Sequence, residues 1–238
     1  MPAQPITLPS PIDKSLAINI DFNGDEYLVR WDGDWRKTPD LTSFPLVDNA
    51  SVALISHTKR VKELWATSQV LAYGADSHIR TLDSCGDEFS VCKVAINDRQ
   101  RQLLREEFSI LRDLSSKDIP VVRVHQEPLV DEHGIFGFRM ERLSGIDIEN
   151  GAEHMSEIKK AFEEVHRNGI VHHDIHPSNI MLNKEGLVTI IDFGRAGYIG
   201  QEVPALKIIR KSKEKAFYSV ESDHVCLQRV NGMYPFQR

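Results

Sequence analysis

Apolar and polar residues alternate along two short runs near the start of the chain. Ile18, Ile20 and Phe22 form one run, and Tyr27, Val29 and Trp31 the other. Asn23-Gly24 between them supplies the turn, so residues 16–31 read as a β-hairpin. Residues 32–50 hold Pro39, Pro45 and several aspartates and read as loop, with a short helix expected within 51–66. Strand-like runs follow at 66–74, 77–83 and 88–96. The period then lengthens, and 98–116 reads as an amphipathic helix. Residues 121–143 read as two or three strands broken by Pro128 and Gly134. A second helix is expected over 153–169, with Met155, Ile158, Phe162 and Val165 on one stripe and Gly169 as its stop. Ile180-Met181-Leu182 and Leu187 to Ile191 form a further hairpin around Asn183-Lys184-Glu185-Gly186. The tail from 195 is more polar and holds one or two helices.

This order predicts an α+β chain: a small sheet lobe with one helix, then a mostly helical lobe, with the divide near 141–152. The expected units are a disordered Pro-rich lead-in at 1–15, an extension with the hairpin at 16–65, a sheet-rich lobe at 66–143 and a short helical lobe at 144–238.

Composition narrows the classes. The chain has 238 residues, 41% hydrophobic and 27% charged, an ordinary globular mix. No apolar run approaches the roughly 18–20 residues of a membrane helix. The first residues lack the basic start and apolar core of a secretory signal. Cys85, Cys92 and Cys226 are sparse and contain no C-x-x-C, which argues against a disulfide scaffold and fits a reducing compartment, cytoplasm or nucleus. A net charge of −6 gives no general attraction for nucleic acid.

The chemistry concentrates at 171–194, VHHDIHPSNIMLNKEGLVTIIDFG. His172, Asp174 and a nearby histidine could be part of an iron facial triad, and His172, His173 and His176 could hold zinc. Adjacent histidines on an irregular segment rarely converge, however, and the long flanking helices do not suit a many-stranded barrel. A plain capped hairpin is the bland alternative. A hairpin brings its ends together, so Asn179 and Asp192 end side by side, with Asp174 entering the same mouth. Two carboxylates and an amide oxygen there suit Mg²⁺.

These residues carry a resemblance. His172-His173-Asp174-Ile175-His176-Pro177-Ser178-Asn179 resembles the protein-kinase loop H-R-D-x-x-x-x-N, and Asp192-Phe193-Gly194 matches D-F-G at the family's spacing. The resemblance covers about 66–230 and implies a bilobal protein-kinase-like fold with a shortened helical lobe. It also implies an ATP-dependent phosphotransferase using Mg²⁺ held by Asn179 and Asp192, with Asp174 orienting the acceptor hydroxyl.

Val91-Cys92-Lys93-Val94-Ala95 stands where the family has V-A-I-K, so Lys93 would contact the phosphates. Its partner can be read without the family. On the 98–116 helix, Leu103, Leu104, Phe108, Ile110, Leu111 and Leu114 span one face, and Glu107 falls in its middle. A carboxylate inside an apolar stripe needs a counter-charge, and Lys93 is the obvious one. Glu106 and Arg105 fall outside the stripe and are expected in solvent.

The glycine-loop pattern maps onto Ala72-Tyr73-Gly74-Ala75-Asp76-Ser77-His78-Ile79, with Gly74 the one glycine kept. The resemblance then implies a nucleotide site of Ala72, Gly74, Ser77, Ile79, Val91, Lys93, Met140, Glu141, Leu143 and Met181. In it Met140 would be the gatekeeper, the Glu141 and Leu143 backbones would meet adenine, and Met181 would close the pocket from below. His173 replaces the family's arginine, so activation by phosphorylation is not expected. His176 resembles the loops of aminoglycoside and choline phosphotransferases. Asp223 stands where the family has the aspartate bracing the catalytic loop. Similar economy occurs in RIO-like and lipopolysaccharide kinases.

The reading is a protein (Ser/Thr) kinase-like enzyme acting on a hydroxyl acceptor. A small-molecule kinase of the aminoglycoside or choline type, and a pseudokinase or ATP-binding interaction module, are the alternatives. A protein partner or a dimer is expected over the short helical lobe.

Overall fold

A computed structural model describes residues 2–5, 10–12, 15–34, 36–74, 76–82, 88–147, 151–207 and 215–233. The first sheet contains β1 (Gln4–Pro5), β2 (Ser10–Ile12), β3 (Ser15–Phe22), β4 (Asp25–Trp31) and β5 (Ala50–Leu54). Its path is β1-β3-β4-β5, with β2 paired on β3. Asn23 (φ 56°) and Gly24 (φ 84°) both occupy the left-handed region. That is the type I′ geometry whose twist matches the flanking strands. Ile18, Ile20, Val29, Trp31 and Phe44 then face inward as one cluster.

The N-terminal lead-in, expected to lack order, instead supplies β1 and β2. Both pair antiparallel with β3, whose backbone groups gain partners along its length. Parts of this lead-in, residues 1, 6–9, 13 and 14, lie outside the described residues, as do Ala75 and Cys85.

Helix α1 (Lys59–Ala66) leads into a second sheet. Thr58 caps the helix by accepting from Val61 N–H and donates to Asp131 at 2.8 Å. The second sheet is formed by β6 (Ser68–Tyr73), β7 (His78–Leu82), β8 (Val91–Val94), β9 (Leu129–Asp131) and β10 (Gly134–Met140) in the order β6-β7-β8-β10-β9. Helix α2 (Asp98–Ser115) starts at Asn97, whose side chain accepts from Gln100 N–H at 2.9 Å, and packs across this sheet. Val61, Cys92, Val94 and Phe136 form the core on one side.

The second lobe holds β11 (Ser144–Gly145), α3 (Met155–Arg167), β12 (Ile170–Val171), β13 (Ile180–Leu182), β14 (Val188–Ile190), β15 (Gly197–Tyr198) and α4 (Val220–Met233). β11, β13 and β14 make one small sheet, and β12 pairs with β15. The predicted α3 stripe is buried: Ile158, Phe162 and Val165 have no exposed surface. The principal core runs from Leu104, Phe108 and Leu111 of α2 through Phe138 to Phe162, Ile190 and Phe193, so it spans both lobes.

The first sheet meets the second through a buried polar contact. Glu26, 4% exposed, meets the His57 ring at 3.0 Å and accepts from Asn19 at 2.8 Å, and His78 of β7 lies 3.9 Å away. Trp65 packs between the two histidines, and the Arg80 guanidinium lies over its ring at 4.4 Å.

Candidate active site

Lys93 sits on β8, paired with Phe138 and Ile79 on either side. It is 6% exposed, and its Nζ donates to Glu107 Oε1 and to Asp192 Oδ1, both at 2.7 Å. The counter-charge that the α2 stripe demands is therefore present, with a second carboxylate added. Burial opposes the ammonium, but two flanking carboxylates outweigh it and push the Lys93 pKa above its ordinary value. Lys93 attraction, ahead of burial, pulls Asp192 down to about 2. Burial pushes Glu107 up, against the pull of Lys93.

Glu107 Oε1 also accepts from Phe193 N–H at 3.1 Å. One carboxylate thus fixes both the lysine and the start of the D-F-G turn. Asp192 has φ 62°, a left-handed conformation disfavoured for a residue with a side chain. Its ion pair with Lys93 and the Phe193 anchor hold it there. Phe193 is fully buried against the His172 ring, 4.8 Å between centroids. A Cβ on Gly194 would stand 3.3 Å from Asp192 Oδ1, so the carboxylate would have to give by a few tenths of an ångström.

The catalytic loop is braced from α4. Asp223, wholly buried, accepts from His172 N–H through Oδ2 and from His173 N–H through Oδ1, each at 2.8 Å. His166 lies 2.9 Å from Oδ2. Burial alone would raise Asp223, but the His166 contact and the two amide bonds lower it below the ordinary carboxylate value. His173 has φ 64°, so this backbone too is held against its preference.

His172 is fully buried. Its Nε2–H donates to Ile191 O at 2.9 Å, and its Nδ1 accepts from Asp174 N–H at 3.3 Å. Both ring nitrogens are committed, and burial lowers its pKa, so it stays neutral. A metal at His172 would have to break these bonds. Among the described residues no group of three or more His, Cys, Asp or Glu forms a metal cluster.

Asn179, 4% exposed, donates from Nδ2 to Asp174 O at 3.0 Å. That commitment turns its Oδ1 into the atom available to a cation. Ile191 N–H donates to Asn179 O at 3.0 Å, which sets Asn179 beside the residue before Asp192. An amide oxygen and a strongly acidic carboxylate are hard donors that would fit Mg²⁺.

At the proposed adenine edge, Met140 is half-buried and pairs with Val91, which is 3% exposed. Glu141 N–H donates to Arg123 O at 3.1 Å, which leaves its carbonyl as the group to face a base. Its buried side chain accepts from Arg123 N–H, Nε and Nη2 at 2.8, 3.0 and 2.9 Å. Leu143, Ile79 and Met181 are half-buried, and Met181 pairs with Gly145 and Thr189.

Ala72 and Gly74 are exposed, whereas Ser77 is 5% exposed. Gly74 N–H donates to Ser77 O at 2.9 Å, which closes a tight turn.

Sequence reasoning missed three groups. Asp76, on this turn, bridges Arg99 and Arg195. Arg195, next to D-F-G, approaches Asp174 Oδ2 at 3.7 Å. Lys207, 4% exposed, pairs with Glu106 at 2.9 Å and donates to Ala196 O at 2.7 Å. This corrects the expectation that Glu106 is simply solvated: the segment after β15 folds back under α2 and brings a buried ammonium to it. Nothing in the local pattern signals these pairs, because each joins segments distant in the chain.

The model of the protein kinase domain matches residues 87–218. The chain belongs to the protein kinase family. The serine/threonine-protein kinase PAK mbt of Drosophila melanogaster is 30% identical over 141 residues, 54% of this chain and 21% of that one. The human serine/threonine-protein kinase PAK 4 is 31% identical over 142 residues, 54% of this chain and 23% of that one. The cGMP-dependent protein kinase, isozyme 1, of Drosophila melanogaster is 46% identical over 43 residues, 18% of this chain and 6% of its own. The chain thus covers about a fifth of the length of the first two relatives. No helix among the described residues is long and apolar enough to cross a membrane.

Proposed function

We propose that this kinase domain transfers the γ-phosphoryl group of ATP to a serine or threonine hydroxyl of a protein. The observation that carries the reading is the assembled polar set: Lys93 held between Glu107 and Asp192 at 2.7 Å, beside a loop fixed by Asp223. A fold kept for binding alone gains nothing from concentrating charges that cost desolvation energy.

In this reading the acceptor hydroxyl lies at Asp174. Its oxygen attacks the γ-phosphorus as the bond from that phosphorus to the ADP oxygen breaks, and its proton passes to the Asp174 carboxylate. Lys93 meets the α- and β-phosphates, and the Glu141 carbonyl and Leu143 amide meet adenine. Mg²⁺, when bound by Asn179 Oδ1 and Asp192, supplies charge neutralisation between the phosphates. The Ser/Thr protein kinases among the relatives support a protein acceptor over a small molecule.

The test is a thermal-shift titration with ATP, with and without Mg²⁺, followed by phosphorylation of a mixed Ser/Thr peptide library. At about 100 times Kd, ATP adds roughly 2.7 kcal/mol of stability. A Mg²⁺-dependent shift lost in Asp192→Ala, with label entering peptides, supports the reading. Binding without transfer to any peptide would remove the protein acceptor, and no shift at all would remove the nucleotide.

A further inference from the structure

The catalytic loop His172 to Asn179 contains no lysine or arginine. The Lys93 ammonium is committed at 2.7 Å to the buried Glu107 carboxylate and to Asp192. Phosphoryl transfer at Asp174 nonetheless moves a group with several negative oxygens past a carboxylate, and that needs a cation on the acceptor side.

The structure sets Arg195 there. Its side chain is 18% exposed. Nε stands 3.7 Å from Asp174 Oδ2, Nη2 donates to Asp76 Oδ2 at 3.1 Å, and Nη1 donates to Lys207 O at 3.0 Å. The carbonyl of Lys207 anchors one arm of the fork, and the opposite arm faces an oxyanion. That oxyanion comes from the Gly74–Ser77 turn, at the position the family pattern gives to the phosphate-covering loop. Asp76 is held from its other side by Arg99. Asp76 thus takes one N–H from each of two guanidiniums, one per oxygen, and a carboxylate held this way is an anionic stand-in for the oxygens of a terminal phosphate.

We infer that Arg195 contacts the γ-phosphate of the bound nucleotide and that Asp76 occupies this contact until the nucleotide displaces it. The inference rests on the proposed ATP site. It assigns a phosphate contact to a residue outside the loop and makes Asp76 a competitor of the substrate. Arg195 is then a catalytic residue, and Asp76 sets how strongly ATP is preferred over ADP.

The experiment is calorimetric titration of the whole chain with Mg·ATP and, separately, Mg·ADP. The variants are Arg195→Gln, Arg195→Lys and Asp76→Asn, each checked for a native melting transition. Arg195→Gln should lower ATP affinity by about tenfold to a hundredfold, the worth of a hydrogen bond to a charged group, while ADP affinity stays as in wild type. Arg195→Lys keeps the charge without the fork and should fall between. Asp76→Asn should act in the opposite direction and raise ATP affinity relative to ADP. A purely structural role would shift ATP and ADP together. An unchanged ATP-to-ADP ratio in Arg195→Gln, or in Asp76→Asn, overturns the inference while nucleotide binding itself stands. Failure of the wild type to bind either nucleotide overturns the ATP reading and this inference with it.

Discussion

His172 and Asp223 are 51 residues apart in the chain, yet the His172 amide donates to the Asp223 carboxylate at 2.8 Å. The neighbouring His173 amide meets the other oxygen of the same group. One buried side chain from α4 thus sets the backbone of the catalytic loop, including a left-handed residue that would otherwise relax. Asp223→Ala should cost about 1–3 kcal/mol or somewhat more, since one buried and one part-buried N–H lose their acceptor. Asp223→Asn keeps one acceptor oxygen and should cost less. Denaturant unfolding measures both, and a loss near zero in the alanine variant would show that the loop is held some other way.

Asp174 lies at the mouth, partly exposed, with its main-chain oxygen committed to Asn179. Asp174→Asn keeps the shape and removes the carboxylate proposed to take the acceptor's proton. Turnover should fall roughly 10²–10⁴-fold while Mg·ATP binding stays near wild type. Steady-state kinetics beside a binding titration separates the two, and equal turnover would remove Asp174 from its role.

Lys93 and Glu107 share an interior in which neither charge is tolerable alone. Lys93→Met should destabilise the domain by about 3–5 kcal/mol, because it leaves a buried carboxylate unpaired. The double variant Lys93→Met/Glu107→Gln should recover part of that loss. A double-mutant cycle reads the coupling directly, and strict additivity would contradict the pairing.

His78, on β7 and facing Glu26 of the first sheet, makes the fold sensitive to acid. Burial, its largest influence, lowers the ring from 6.5 to about 4, although nearby Glu26 pulls the other way and Arg80 and His57 lower it further. The unfolded chain therefore takes up a proton between pH 6.5 and about 4 that the folded chain refuses. Stability from this group is fully present above 6.5 and is lost as pH falls through that window, by about 3 kcal/mol at most. His78→Gln should flatten the slope of unfolding free energy over that range. An unchanged slope would place the acid sensitivity elsewhere.

Local information was enough for the longer elements, though not for β1, β2 or β5. The β3–β4 hairpin followed from Asn23-Gly24 between alternating runs, and the Met155–Arg167 helix from one apolar stripe. The D-F-G and catalytic-loop motifs, with a hairpin between them, marked the residues of the candidate site. Even the Lys93–Glu107 pair could be argued, because an acidic residue in the middle of an apolar stripe carries its own demand for a cation. Such signals are short in range or fixed by period.

The remaining relationships depend on segments far apart meeting in space. Lys93 and Asp192 are separated by 99 positions, Arg195 and Asp76 by 119, and Glu106 finds Lys207 only once the chain has crossed both lobes. No periodicity encodes such pairs, since each is chosen by the packing of a shared core and not by its neighbours in the chain. The same holds for the lead-in, whose prolines suggest disorder until β3 offers it an edge to pair with. The sequence alone determined which chemical groups the protein has and which local shapes carry them. The tertiary structure decided which charges face each other, because a carboxylate or guanidinium is stabilised by whatever the fold brings within reach.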